Sequence, residues 1–149
     1  MRPDPPIALQ RIAQALAFEV APQLADPFVQ QTAGLAATVA AMLAEEWDRA
    51  AARLVEENAA LRSLFAGAVE LAPPELAARL RSAAAEVDTD LRVSRLQAAN
   101  DFLRRLLIEL HEWCEGEMER DPRVAALNEA IWEELKASTR RRRLVARPI

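Results

Sequence analysis

The sequence predicts an all-α protein: an up-and-down bundle of four to five helices, one of them about 40 residues long, with coiled-coil-like seams. Three observations carry this. Of the 149 residues, 32 are Ala and 20 are Leu, whereas Val and Ile together number 14, Thr 4, and Tyr is absent; strong helix formers dominate and strand formers are scarce. Prolines gather where helices can start, since the first turn does not need their missing N–H. Large apolar residues recur at steps of three and four, the spacing of one helical face.

Each element follows from these signals. Pro5-Pro6 open a first helix over about 6–21, with Leu9, Ile12, Leu16, Val20 and Leu24 as its apolar stripe, and Pro22 kinks or ends it near Ala21. Asp26-Pro27 places a capping carboxylate before a proline at the first helical position, starting a long helix over 27–66 that ends near Gly67. Pro73-Pro74 open a helix over 75–87. Asp88-Thr89-Asp90 either cap a new helix or sit on the polar face of a continuous one, so 75–115 reads as one helix or two. A run over 90–115 follows, with Gly116 as its C-cap. Asp121-Pro122 repeat the start device for a last helix over 122–142, whose stripe is Val124, Leu127, Ile131 and Leu135. The whole, residues 1–149, reads as a single helical domain with 143–149 as a basic C-terminal tail.

An internal echo is the most specific feature. Arg53, Leu54, Asn58, Leu61, Arg62, Leu64 and Phe65 are matched 42 residues on by Arg95, Leu96, Asn100, Leu103, Arg104, Leu106 and Leu107. In heptad terms Ala51, Asn58 and Phe65 stand at a with Leu54 and Leu61 at d; Val93, Asn100, Leu107 and Cys114 stand at a with Leu96, Leu103 and Leu110 at d. Each copy thus sets one Asn in an apolar seam, where a buried amide weakens the coil but fixes its register. A short return helix at 75–87 would run the two copies parallel and bring Asn58 beside Asn100, or beside a symmetry mate. A continuous helix would separate them. The match is a duplication or a convergence of generic zipper patterning.

Candidate chemistry is thin. One His and one Cys exclude a disulfide framework, a zinc finger and a multi-histidine metal site. His111, Cys114 and Glu115 can share a helical face, but a di-metal carboxylate bundle needs Glu-x-x-His twice, and Ile108 stands where the Glu would be. A Cys114 nucleophile would have His111 as base but Glu112, Glu115 and Glu117 around it, the wrong charge for a thiolate. The paired acids Glu45-Glu46, Glu56-Glu57, Asp88/Asp90 and Glu133-Glu134 read as solvated faces beside the stripes. The three Gly are far apart, so there is no phosphate-cradling loop. No catalytic residue, cofactor or metal is therefore expected.

Partners are read from surfaces. Lys136, Arg140, Arg141, Arg142, Arg143 and Arg147 form a basic end, read first as a solvated helix terminus; without interleaved aromatics it argues against base stacking. Trp47 reads as core or interface, Trp113 as the edge of its seam, and Trp132 as half-exposed, a candidate interface residue in an exposed apolar strip. A helix of about 60 Å outruns a compact domain of this size, which points to a homodimer. The first 20 residues lack an unbroken apolar run, and the longest nearly apolar stretch, 33–44, is too short to span a bilayer. With a single Cys and 18 Arg to one Lys, the expectation is a soluble, cytoplasmic, bacterial protein. Three functional classes remain. The first is a non-enzymatic interaction protein, an oligomeric adaptor or accessory subunit. The second is a bundle binding a small molecule in an apolar pocket with Asn58 or Asn100 as polar contacts. The third is a basic-tail contact with membrane or nucleic acid.

Overall fold

A computed structural model describes residues 4–145. Among these residues five α-helices are present and no strand: α1 (Pro5–Ala15), α2 (Pro27–Ala68), α3 (Pro74–Ala85), α4 (Val93–Glu117) and α5 (Pro122–Arg141). No helix among them is long and apolar enough to cross a membrane. Arg147 and the rest of the tail beyond Val145 lie outside the described residues.

The start signals work as side-chain chemistry. Asp4 accepts from the Ile7 amide, Asp26 from Phe28 at 2.8 Å and Asp121 from Arg123 at 2.8 Å, each beside a proline that opens its helix. After Ala15 the backbone continues as a π turn over Leu16–Val20 and a 3-10 turn over Ala21–Gln23. The cause is Pro22, which has no N–H to return to the preceding turn. The amide of Ala21 reaches back to Leu16, and the Gln23 side chain donates to the Glu19 carbonyl at 2.7 Å.

Three local expectations are corrected. Asp88 and Asp90 neither cap α4 nor ride on a continuous helix; α3 ends at Ala85, residues 86–92 are non-helical, and the N-cap of α4 is Arg92. Gly116 is not a C-cap: it lies inside α4, and no glycine has positive φ. In the stripe of the first helical stretch Leu9, Leu16 and Leu24 are half-buried as expected, but two positions differ. Ile12 and Val20 are exposed, and the small neighbours Ala13 and Ala21 are buried instead.

The chain divides into two compact units, residues 1–50 with 143–149, and residues 51–142. In the second unit Leu61, Phe65, Leu80, Leu103, Leu106, Leu107, Leu110, Cys114, Val124, Leu127 and Ile131 form one buried cluster. Asp88, just past α3, pairs with Arg62, and α4 begins again beside Asn58. Helix α3 is therefore the return stroke, and α4 runs parallel to the C-terminal half of α2. Helix α5 comes back antiparallel to α4, as Arg104 meets Ser138 at one end and His111 meets Trp132 nearer the other. The first unit is built differently. Its buried apolar residues are alanines alone: Ala13, Ala21, Ala37, Ala40, Ala44 and Ala50.

Leu110 is fully buried in the cluster, whereas Ile108 two residues earlier faces water. Leu110→Ala is expected to lower unfolding free energy by about 2–5 kcal/mol, and Ile108→Ala by less than about 0.5 kcal/mol, in urea titrations followed by circular dichroism.

Candidate functional site

Two features stand apart from ordinary helix packing, one in each unit. The first is a polar cluster inside the apolar core of the second unit. Asn58 and Asn100 are fully buried and face each other, the Asn100 amide donating to the Asn58 carbonyl oxygen at 3.0 Å. Asn58 in turn donates to Asp88 at 3.1 Å and to the Leu96 carbonyl at 3.3 Å. Asn100 also donates to Glu57 at 3.4 Å and accepts from Arg142 at 3.5 Å. Both amides thus have partners at both ends, which a buried amide needs: an unmet group costs about 1–3 kcal/mol.

Glu57 is the centre. Sequence periodicity reads the Glu56-Glu57 pair as a solvated face, yet Glu57 is only 1% exposed. Its carboxylate receives the Arg142 guanidinium in two-point fashion, at 2.9 and 2.6 Å, and the Ser138 hydroxyl at 3.2 Å, with Arg104 at 3.7 Å. Burial alone would push the Glu57 carboxyl up, but the hydrogen bonds and charge of Arg142, helped by Ser138 and Arg104, outweigh it and hold the group below its ordinary value. Beside it, Arg62 grips Asp88 through two 2.8 Å bonds with both side chains 11% exposed. The Arg62 bonds are the main reason Asp88 lies below the usual carboxylate range, burial opposing and Asn58 assisting.

The basic end is corrected in the same place. Arg142 is not a merely solvated terminus: it closes the Glu57 cluster, and Arg141 holds Glu134 at 2.7 Å. Arg140 and Arg143 are exposed, and the Arg143 carbonyl accepts from Arg49 at 3.0 Å. Glu45 is likewise engaged, accepting the Val145 amide at 2.8 Å.

The thiol and the imidazole lie in different settings. Cys114 is fully buried, and burial pushes its thiol up to about 11, so it stays protonated at neutral pH. His111 stacks edge-on against Trp132 with ring centroids 5.2 Å apart, and Trp132 is half-exposed. Trp113 is partly buried against the core. Among the described residues no group of three or more His, Cys, Asp or Glu side chains could hold a metal ion.

The second feature is the surface of the first unit. Helix α2 carries no charged residue between Pro27 and Ala44. With alanines turned inward, its large side chains are left outside: Phe28 is 75% exposed, Leu35 60%, Val39 47%, Leu43 51% and Trp47 63%. Trp47 is therefore not core. Steps of seven, four, four and four residues set these five along one slanting stripe, with the buried Ala37 on the far side of the helix. Ile7 and Ile12 on α1, and Phe18 in the π turn that follows it, are exposed as well. A shallow groove of about 330 Å³ runs between α1 with the π turn after it and α2, among small residues that include Ala13, Ala17, Gly34 and Ala37. No protein-family model, no curated protein and no solved structure matches this chain.

Removing Arg142 leaves Glu57 buried with only Ser138, Asn100 and a distant Arg104. Arg142→Ala is expected to cost about 1.5–3 kcal/mol at pH 7, measured by chemical unfolding. The pH dependence has a definite sign. The folded carboxyls of Glu57 and Asp88 lie below their unfolded values, so their stabilisation is complete above the unfolded value and is lost as pH falls through the folded one. Stability should drop on acidification below the ordinary carboxylate range, and a Glu57→Gln variant should show a shallower drop.

Proposed function

We propose that this is a non-enzymatic helical interaction protein, an adaptor or accessory subunit of the cytoplasm, whose docking element is the first unit. The observation that carries it is the face of α2 that holds Phe28, Leu35, Val39, Leu43 and Trp47 in water and is uncharged from Pro27 to Ala44. Single exposed apolar residues are ordinary, but a contiguous row on one helix face is the mark of a surface that meets another surface. A buried alanine seam lets α1 and α2 approach closely while leaving large side chains for a partner. The second unit has its own core, held in one register by Glu57, Asn58 and Asn100.

The other two classes draw less support. Asn58 and Asn100 spend their hydrogen-bonding capacity on one another, Glu57, Asp88, Leu96 and Arg142, leaving little for a small molecule. Two of the four consecutive arginines, Arg141 and Arg142, are committed to Glu134 and Glu57, which weakens the case for a basic contact with phosphates.

The test is photo-crosslinking inside cells, with a photoreactive residue at position 35 or 43 of the full chain and at exposed Gln97 on α4 as control. Discrete protein adducts are expected from 35 and 43 and none from 97. Absence of adducts at both stripe positions would sink the docking reading.

A further inference from the structure

The exposed face of α2 has a regular relief. Leu35, Val39, Leu43 and Trp47 follow one another at four-residue steps, which makes them a single i±4 ridge, with Phe28 continuing the stripe toward the N-terminus. Its exposed flank from Val29 to Ala36, formed by Val29, Gln31, Thr32 and Ala36, is uncharged; charge returns only at the Trp47 end, with Glu46 and the exposed Asp48. The five large side chains expose on the order of 500 Å² between them, and with the flank the face approaches the ~800 Å² per partner of a standard stable interface.

The absence of charge narrows the choice of occupant. A surface that docks on a different protein commonly carries charges that steer the partner and reject others. A surface that meets its own copy about a two-fold axis must tolerate being apposed to itself, and any net charge would repel its duplicate. Residues 27–44 hold no charge to repel. Ridges of the i±4 class also fit into one another, two such helices crossing at about −50°.

Resting on the docking reading above, we propose that the occupant of this face is a second copy of the chain. The two α2 ridges cross near Val39 about a two-fold axis. In such an isologous contact Leu35 of one protomer meets Leu43 of its partner and the reverse, while Val39 lies nearest the axis and meets itself.

Sedimentation velocity on the full chain across micromolar concentrations is expected to show a dimer. Leu43→Glu and Val39→Glu should each weaken it more than about tenfold, as loss of a central anchor does, while Val87→Glu in the second unit leaves it intact. Both stripe residues are exposed, so helical content by circular dichroism should be unchanged. Val39→Cys, treated with a mild oxidant, should give a disulfide-linked dimer, and Phe28→Cys should not; the natural Cys114 is buried and stays out of the reaction. A chain that is monomeric throughout, or a dimer that survives Leu43→Glu, overturns the assignment. So does a monomer that floats with phosphatidylglycerol vesicles through these residues, which would make the occupant a lipid surface. If the chain is monomeric yet position 43 crosslinks to another protein in cells, only the occupant is wrong; if neither occurs, the docking reading falls with it.

Discussion

The second unit depends on one constraint: a carboxylate and two amides placed in an apolar seam must all be satisfied at once. Glu57, Asn58 and Asn100 are almost completely buried. Water cannot meet their needs, so each must find a partner on a neighbouring helix. Only one alignment supplies them. Helix α4 must stand where Asn100 reaches Asn58, the segment after α3 must bring Asp88 to the Asn58 amide, and α5 must end where Ser138 and Arg142 reach Glu57. A slip by one turn would leave every leucine greasy enough for its new neighbours but would strand the polar groups. Leucine seams are forgiving about register, and this cluster is not.

That division of labour explains why Glu57 is tolerated inside. The net contribution of a buried ion pair to stability is modest, because desolvation opposes the Coulomb attraction. Its value lies in what it forbids. Arg142 sits at the C-terminal end of α5, and its grip on Glu57 sets where that helix stops relative to the C-terminal half of α2. Arg62 and Asp88 do the same for the segment between α3 and α4. The end of α5 and the segment between α3 and α4 are therefore set by charge-assisted bonds rather than by caps.

The first unit obeys the opposite economy. Its helices approach on alanine, whose small side chain permits close contact but buries little apolar area. Large residues that would fill a leucine seam are turned to the outside. Among the described residues the two units thus contrast within one chain: the buried apolar residues of one are leucine-rich and those of the other are alanines.

Helix number, type and approximate limits were legible from composition, proline placement and the three-four spacing, because these are local: Pro27 and Pro122 start helices wherever the chain goes afterwards. The 42-residue echo also marked Asn58 and Asn100 as polar groups in seams, and the two alternatives for 75–115 differed in whether they could meet. Glu57 was invisible, since its burial depends on Ser138 and Arg142, some 80 residues away, and an acid beside another acid reads as surface. Ile12 and Val20 misled for the complementary reason. Periodicity reports that a helix has two faces, but when one face is alanine and the other bulky, only the packed structure decides which turns inward. Local sequence determined the helices because backbone propensity acts within a few residues; tertiary contact decided the polar cluster and the exposed face because solvation is a property of what lies across the gap.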